Sequence, residues 1–134
     1  MTEVWTPSQY HAYLAGTEGV PAPPRFLALD TEAPEDELRG RIQSLCKATK
    51  HLYYHAKKSQ KSTAGWPDDA IVHPEGDIGG GSTLFLWELK RAGEKPSPAQ
   101  IRWLDALRKV TRIEVACYYP ADWPIILEKL RRTP

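Results

Sequence analysis

The sequence has few cysteines. Of its 134 residues only two, Cys46 and Cys117, are cysteine, and they are too far apart to form a CxxC pair. Few, widely spaced cysteines predict a protein of a reducing compartment without a disulfide framework. The four histidines also lack metal-ligand spacing, so the sequence argues against a structural zinc site.

Long apolar runs and a large net charge are also absent. No apolar run approaches the roughly 18 residues that a membrane span needs, and the N-terminus shows no signal-peptide pattern. We therefore expect a cytoplasmic protein without membrane contact. The formal net charge is +1 at pH 7, so the field of the whole molecule does not draw it to a polyanion. Any affinity for nucleic acid must come from a local patch.

The chain length fits a single domain with one hydrophobic core. Residues 1–33 are predicted to be an N-terminal extension, in which a short helix starting at Thr6-Pro7 and then a proline-rich connector are expected. The main domain is expected to cover residues 34–132. It shows no internal repeat and no long low-complexity tract.

Periodicity over the main domain predicts an α/β fold with a mixed β-sheet flanked by helices. Strands are expected at 51–56, 68–73, 82–90 and 113–119, and the second and third are expected to pair as a hairpin. Helices are expected after Pro34, after the Ser97-Pro98 cap and after Asp122. The expected buried positions are Leu38, Ile42 and Leu45 in the first helix, Ile101, Leu104, Leu107 and Val110 in the second, and Ile125, Ile126, Leu127 and Leu130 in the third.

Two short stretches carry candidate chemistry: GWPD at 65–68 and WELK at 87–90. On a strand, Glu88 and Lys90 point to the same face. If the hairpin pairs antiparallel, Asp68 faces them across the ladder. Two nearby carboxylates both stay ionised only with positive charge between them, and an all-oxygen pair suits Mg²⁺.

The ordinary interpretation of each stretch is structural. A Glu and a Lys two residues apart on a strand usually form a solvated face or a weak ion pair, and Pro-Asp after a glycine is common turn chemistry. Their combination at strand–turn–strand spacing favours a functional site. A serine hydrolase is disfavoured, because Ser59 and Ser62 near His55 lack a Gly-x-Ser-x-Gly elbow.

The motifs together resemble a known family. GWPD, a hairpin and WELK, followed by KPSPAQIRWLDAL and YYPADWPIILEKL, resemble the VRR-NUC branch of the PD-(D/E)xK nuclease superfamily. The preceding YYHAKKSQKSTAGWPD adds to the match. The resemblance covers about residues 34–132 and implies the restriction-endonuclease-like core of that superfamily.

The resemblance implies a role for particular positions. Asp68 and Glu88 look like the metal-binding acids, and the Leu89 carbonyl looks like a further ligand. Lys90 resembles the catalytic lysine, and Gln100 matches a glutamine that points back to the site. An acid on the first helix completes the site in this family; Glu35 fits best, with Glu37 as the alternative. Relatives often carry glutamine at the position of Arg39, which puts that helix's contact with DNA in question.

A basic stretch leads to Asp68. Between Leu38 and Ala64 there is no acidic residue, and the basic ones suit phosphate contacts that are salt-dependent and largely independent of sequence. The alternative is a solvated basic surface. The candidate DNA-binding residues are Arg39, His55, Lys57, Lys58, Ser59, Lys61, Ser62 and Trp66.

By this resemblance we expect a metal-dependent DNA endonuclease, of a bacterium or a phage-infected host. It would use Mg²⁺, with Mn²⁺ able to substitute, and no organic cofactor. Stand-alone members resemble Holliday-junction resolvases, which implies a homodimer acting on branched DNA such as four-way junctions. The alternative is a DNA-binding or interaction module that kept the fold and lost catalysis. Intact Asp68, Glu88 and Lys90 favour the enzyme.

Overall fold

A computed structural model of the chain describes residues 29–56 and 63–131. Within these residues the chain forms three α-helices, four β-strands and a short 3-10 turn, in the predicted order α, β, β, β, α, β, α. In chain order they are α1 (Glu35–Thr49), β1 (Leu52–His55), β2 (Asp69–Val72), β3 (Leu84–Leu89), α2 (Pro98–Leu107), β4 (Ile113–Tyr118), the turn Pro120–Asp122 and α3 (Trp123–Leu130).

The four strands form one mixed sheet in the order β1-β2-β3-β4. β1 pairs with β2 and β2 with β3 in antiparallel fashion, so the predicted hairpin is confirmed. β3 and β4 run parallel. A parallel pair needs a crossover connection, and α2 supplies it. The predicted α/β class with a mixed sheet is therefore confirmed.

The hydrophobic core lies between one face of the sheet and the helices α1 and α3. Leu38, Ile42 and Leu45 recur at helical spacing on α1 and are fully buried, as predicted. They pack against sheet residues such as Trp87 and Leu89, which point to the same face because they alternate along β3.

The predicted apolar stripe of α2 is wrong in part. Leu104 is buried, but Ile101 is 45% exposed and Val110 is 46% exposed. Val110 lies beyond the helix, which ends at Leu107. Gln100 is buried instead of Ile101, since adjacent helical residues point in directions about 100° apart. The side of α2 that faces the sheet is therefore partly polar.

Helix α3 keeps most of its predicted stripe. Ile126, Leu127 and Leu130 are buried, whereas Ile125 is exposed. Ile125 follows Pro124 in the first turn and lies on the solvent side of the helix. None of the helices in the described part of the chain is long and apolar enough to cross a membrane.

Candidate functional site

The hairpin of β2 and β3 sets the position of the two predicted acids. Its register pairs Asp69 with Trp87 and Ala70 with Leu86; continued by one residue, it places Asp68 opposite Glu88. β2 begins at Asp69, one residue later than expected, yet the Asp68 carbonyl still accepts a hydrogen bond from the Ala56 amide at 2.8 Å. Residues opposite each other in an antiparallel pair share a face.

Both acids are almost fully buried. Asp68 is 4% exposed and Glu88 is 1% exposed. Lys90 Nζ lies 3.7 Å from Glu88 Oε1. The chain therefore buries Glu88 and leaves Lys90 beside it only partly exposed, unlike the solvated pair that is the ordinary interpretation of this spacing.

Gln100 reaches Glu88 from α2. Its Nε2 donates to Glu88 Oε1 at 2.6 Å. Its own Oε1 accepts from the Ser97 amide at 2.8 Å, and Ser97 Oγ accepts from the Gln100 amide at 3.2 Å, so the two residues form a capping box. Because the cap engages the amide oxygen, the Nε2 group is the end that faces Glu88. The structure thus brings Gln100 into the site.

The GWPD turn is fixed against α2. Gly65 has φ +98°, and a Cβ added to it would lie 2.5 Å from the backbone carbon of Ala99, so glycine is required by conformation and by space. Trp103 Nε1 donates to the Ala64 carbonyl at 3.1 Å. Trp66 packs edge-to-face on Trp103 at 5.1 Å between ring centroids. These contacts hold the backbone that leads to Asp68.

Arg39 extends from α1 into a group of carboxylates. Its guanidinium lies 3.2 Å from Glu35 Oε2, 3.8 Å from Asp68 Oδ2 and 3.3 Å from Asp69 Oδ1. Burial by itself lowers the pKa of Arg39, but the charges and hydrogen bonds of Asp69 and Glu35 outweigh it, so the pKa lies above its ordinary value. Arg39 is therefore a permanent cation inside the site.

The structure gives Arg39 carboxylate partners, and contact with DNA phosphate stays a prediction. Arg39 also connects Glu35, on α1, to Asp68 on the hairpin. This makes Glu35, of the two alternatives Glu35 and Glu37, the α1 acid that is linked to the site.

Asp69 is the site residue that the sequence analysis missed. Its side chain is fully buried, and Oδ1 accepts from Tyr53 Oη at 2.5 Å and from Arg39 Nε at 3.3 Å. His55 Nδ1 lies 3.0 Å from the same oxygen. Burial, and then the hydrogen bond to Asp69, raises the pKa of Tyr53.

A signal for Asp69 was present in the sequence. Two acids in a row at the start of a strand point to opposite faces, so one of them must face the core side. A carboxylate there needs donors. Tyr53 and His55, two residues apart on β1 and therefore on one face of it, supply two such donors.

The other predicted residues are placed as follows. Trp66 is exposed and His55 is partly exposed. Leu89 is buried at the end of β3, opposite Tyr118, and a role for its carbonyl as a metal ligand stays a prediction. Five of the predicted DNA-binding residues lie outside the described part of the chain: Lys57, Lys58, Ser59, Lys61 and Ser62.

The donor set suits a small hard cation. Among residues 29–56 and 63–131 no group of three or more His, Cys, Asp and Glu side chains is arranged to hold a metal ion. Magnesium, however, keeps several waters and commonly binds proteins through only one or two carboxylates. The buried oxygens of Asp68 and Glu88, on one face of adjacent strands, match that requirement.

Comparison with known proteins gives one structural likeness. No family model matches the chain, and no curated protein matches it. A solved structure described as "VRR_NUC domain" is similar at a TM-score of 0.49 and 23% sequence identity, over 72% of this chain and 97% of that chain. This description names the family that the motifs around Asp68 and Lys90 resemble in sequence.

Proposed function

We propose that this protein is a metal-dependent DNA endonuclease that hydrolyses phosphodiester bonds. The observation that carries the proposal is the burial of Asp68 and Glu88 on opposed strand positions, with Lys90 Nζ 3.7 Å from Glu88 Oε1. Two buried carboxylates beside a partly buried lysine are costly for stability alone. They are well suited to a hard cation and a phosphate group, which favours a site under functional constraint.

The proposed cofactor is Mg²⁺, with Mn²⁺ able to replace it. Asp68, Glu88 and the Leu89 carbonyl are the residues that would hold it. When bound, a divalent ion supplies charge stabilisation to a phosphate oxygen and lowers the pKa of a bound water.

The chain's own residues have distinct proposed roles around that ion. Gln100 fixes the Glu88 carboxylate through its Nε2 group. Lys90 holds a proton at Nζ beside that carboxylate, where it can orient the attacking water or offset the negative charge that develops on the phosphate. Glu35 is the acid that would receive a metal-bound water, and its ion pair with Arg39, which also lies 3.8 Å from Asp68, supports this role.

The proposed substrate is DNA, and branched DNA such as a four-way junction is the preferred form by resemblance to resolvase-like relatives. A homodimer is part of the same proposal, since a twofold pair doubles the short basic footprint of one protomer. The exposed basic residues between Leu38 and Ala64, Lys47 and Lys50 among them, would contact phosphates, and binding would weaken steeply with salt.

The test is a cleavage assay on plasmid and on a synthetic four-way junction, with Mg²⁺, Mn²⁺ or EDTA. Asp68→Ala and Lys90→Ala remove the acid and the lysine. We expect Lys90→Ala to lower the rate on the order of 100-fold or more, with near-normal DNA binding. Asp77→Asn and Lys129→Ala are matched controls, because they remove the same types of charge outside the site.

A second candidate is a DNA-binding module without catalysis. One observation favours it: Arg39 already ion-pairs with Asp68 and Glu35, and a resident cation opposes a divalent ion. If DNA binds, no metal supports nicking, and neither Asp68→Ala nor Lys90→Ala changes any readout, the module is correct.

A further inference from the structure

Arg39 places its guanidinium among the carboxylates of Glu35, Asp68 and Asp69. We propose that Arg39, anchored by Asp69, is a built-in cation of the site, so that the chain binds a single divalent ion and Arg39 sets how tightly it binds. The proposal rests on the metal site of the proposed function. It assigns a positioning role to two residues that the sequence motifs do not include.

The charges around Arg39 support one ion. By formal charge, the carboxylates of Glu35, Asp68, Asp69 and Glu88 count −4, and the Arg39 and Lys90 side chains that contact them count +2. The remainder of −2 equals the charge of one divalent cation. Asp36 lies 3.6 Å from Arg39, but its side chain is 98% exposed and water screens it.

Asp69 fixes the position of the guanidinium. Its carboxylate has no exposed surface and accepts from Arg39 Nε at 3.3 Å. Tyr53 and His55 contact the same oxygen and hold the acid in turn. The planar, always charged guanidinium can then reach Glu35 and Asp68 from one place, which a lysine ammonium could not do in the same way.

Two buried atoms of this pair are still open to further bonding. Arg39 Nη2 and Asp69 Oδ2 are both buried and, within the described residues, make no hydrogen bond. Arg39 Nη2 lies 3.8 Å from Asp68 Oδ2, which is longer than a hydrogen bond. A water carried by a hydrated ion would satisfy the Arg39 donor.

The proposal predicts opposite effects for the two single substitutions. Arg39→Gln removes the cation and leaves Asp69 charged, so the ion should bind on the order of tenfold more tightly and a second ion should begin to bind. Asp69→Asn removes the negative charge that anchors Arg39, so the guanidinium pairs more strongly with Asp68 and Glu35. The ion should then bind on the order of tenfold more weakly. The double variant restores the total charge and should bind one ion near the original affinity.

The experiment is calorimetric titration of Mn²⁺ and of Ca²⁺ into the DNA-free protein, with a thermal melt of each variant. Arg41→Gln is the matched control: it removes a buried arginine from the same helix, where Arg41 lies over the Trp123 ring at 5.8 Å. Its ion affinity should stay within about twofold of the original, because Arg41 lies outside the carboxylate cluster. The double variant buries neither the Arg39 nor the Asp69 charge, so it should fold even if a single variant does not, and its ion affinity still tests the proposal.

The outcomes separate this proposal from the nuclease assignment. Two ions per original chain, no ion at all, or weaker binding in Arg39→Gln as well as in Asp69→Asn would overturn it. If the protein binds one ion and the two substitutions have the expected opposite effects, but no DNA is cut, the role of Arg39 is supported and the nuclease assignment is wrong. If the protein cuts DNA but Arg39→Gln lowers the affinity for the ion, the nuclease assignment is supported and the proposed role of Arg39 is wrong.

Discussion

One side-chain amide joins the start of helix α2 to the carboxylate of Glu88. Gln100 accepts from the Ser97 amide at 2.8 Å through Oε1 and donates to Glu88 Oε1 at 2.6 Å through Nε2. The helix cap therefore determines which end of the glutamine meets the acid. Local helix chemistry and the geometry of the site are coupled through this residue.

Gln100→Ala and Ser97→Ala separate these two contributions. Ser97→Ala removes the side-chain cap, at a cost of about 1 kcal/mol in unfolding free energy, but it keeps the backbone amide that orients Gln100. Gln100→Ala also removes the donor to Glu88, so cleavage or metal affinity should fall on the order of 10-fold to 100-fold. Chemical unfolding and initial rates below the melting temperature provide the measurements. Equal rates for the two variants would contradict a separate contribution of the hydrogen bond from Gln100 to Glu88.

Gly65→Ala should destabilise the protein more than Gly79→Ala. Both glycines have a left-handed φ, +98° and +96°, so both substitutions carry backbone strain. Only at Gly65 does the new Cβ meet backbone, 2.5 Å from Ala99. We expect Gly65→Ala to cost more than about 1 kcal/mol beyond its control, measured by urea unfolding. It should also reduce cleavage, because the turn positions Asp68.

Gly40→Ala should stabilise the protein. Gly40 lies inside helix α1, and an added Cβ would meet nothing within 4 Å. Alanine restricts the unfolded chain and favours the helix, so the unfolding free energy should rise by about 0.5–1 kcal/mol. A thermal melt checks this. A lower melting temperature would show that the helix needs the glycine for a reason that its surroundings do not reveal.

The stability of the protein should fall above pH 9, in part because of Cys46. Burial, and then the charge of Asp69, raises the pKa of this thiol from 9.0 to about 12. Above pH 9 the unfolded chain loses the proton while the folded chain keeps it, so stability present below pH 9 declines as pH rises toward 12. Cys46→Ala should remove about 1 kcal/mol of the loss between pH 8 and pH 10.

Urea unfolding at the two pH values measures this difference for the original chain and for Cys46→Ala. Tyr118, whose pKa burial raises to about 12, acts in the same direction and should leave part of the decline in the variant. Identical losses in both proteins would contradict the assignment to Cys46.

The element order, the hairpin and the cap at Ser97 follow from local sequence. Alternation, helical spacing and turn residues act over a few positions, so they can be recognised without knowledge of distant contacts. The same is true of the face that Glu88 shares with Lys90, because alternation along one strand determines it. The family resemblance added the expected roles of Asp68, Gln100 and Glu35.

The environment of those residues depended on the tertiary structure. From the sequence, Arg39 was predicted to contact DNA and Asp69 had no predicted role. In the folded chain, packing of α1 against the hairpin brings Arg39 Nε to 3.3 Å from Asp69 Oδ1. Likewise, the packing of α2 leaves Ile101 exposed and buries Gln100. The behaviour of a buried charge depends on the groups that replace water around it. For Arg39 and Asp69, which are thirty positions apart, those groups come together only when the chain folds.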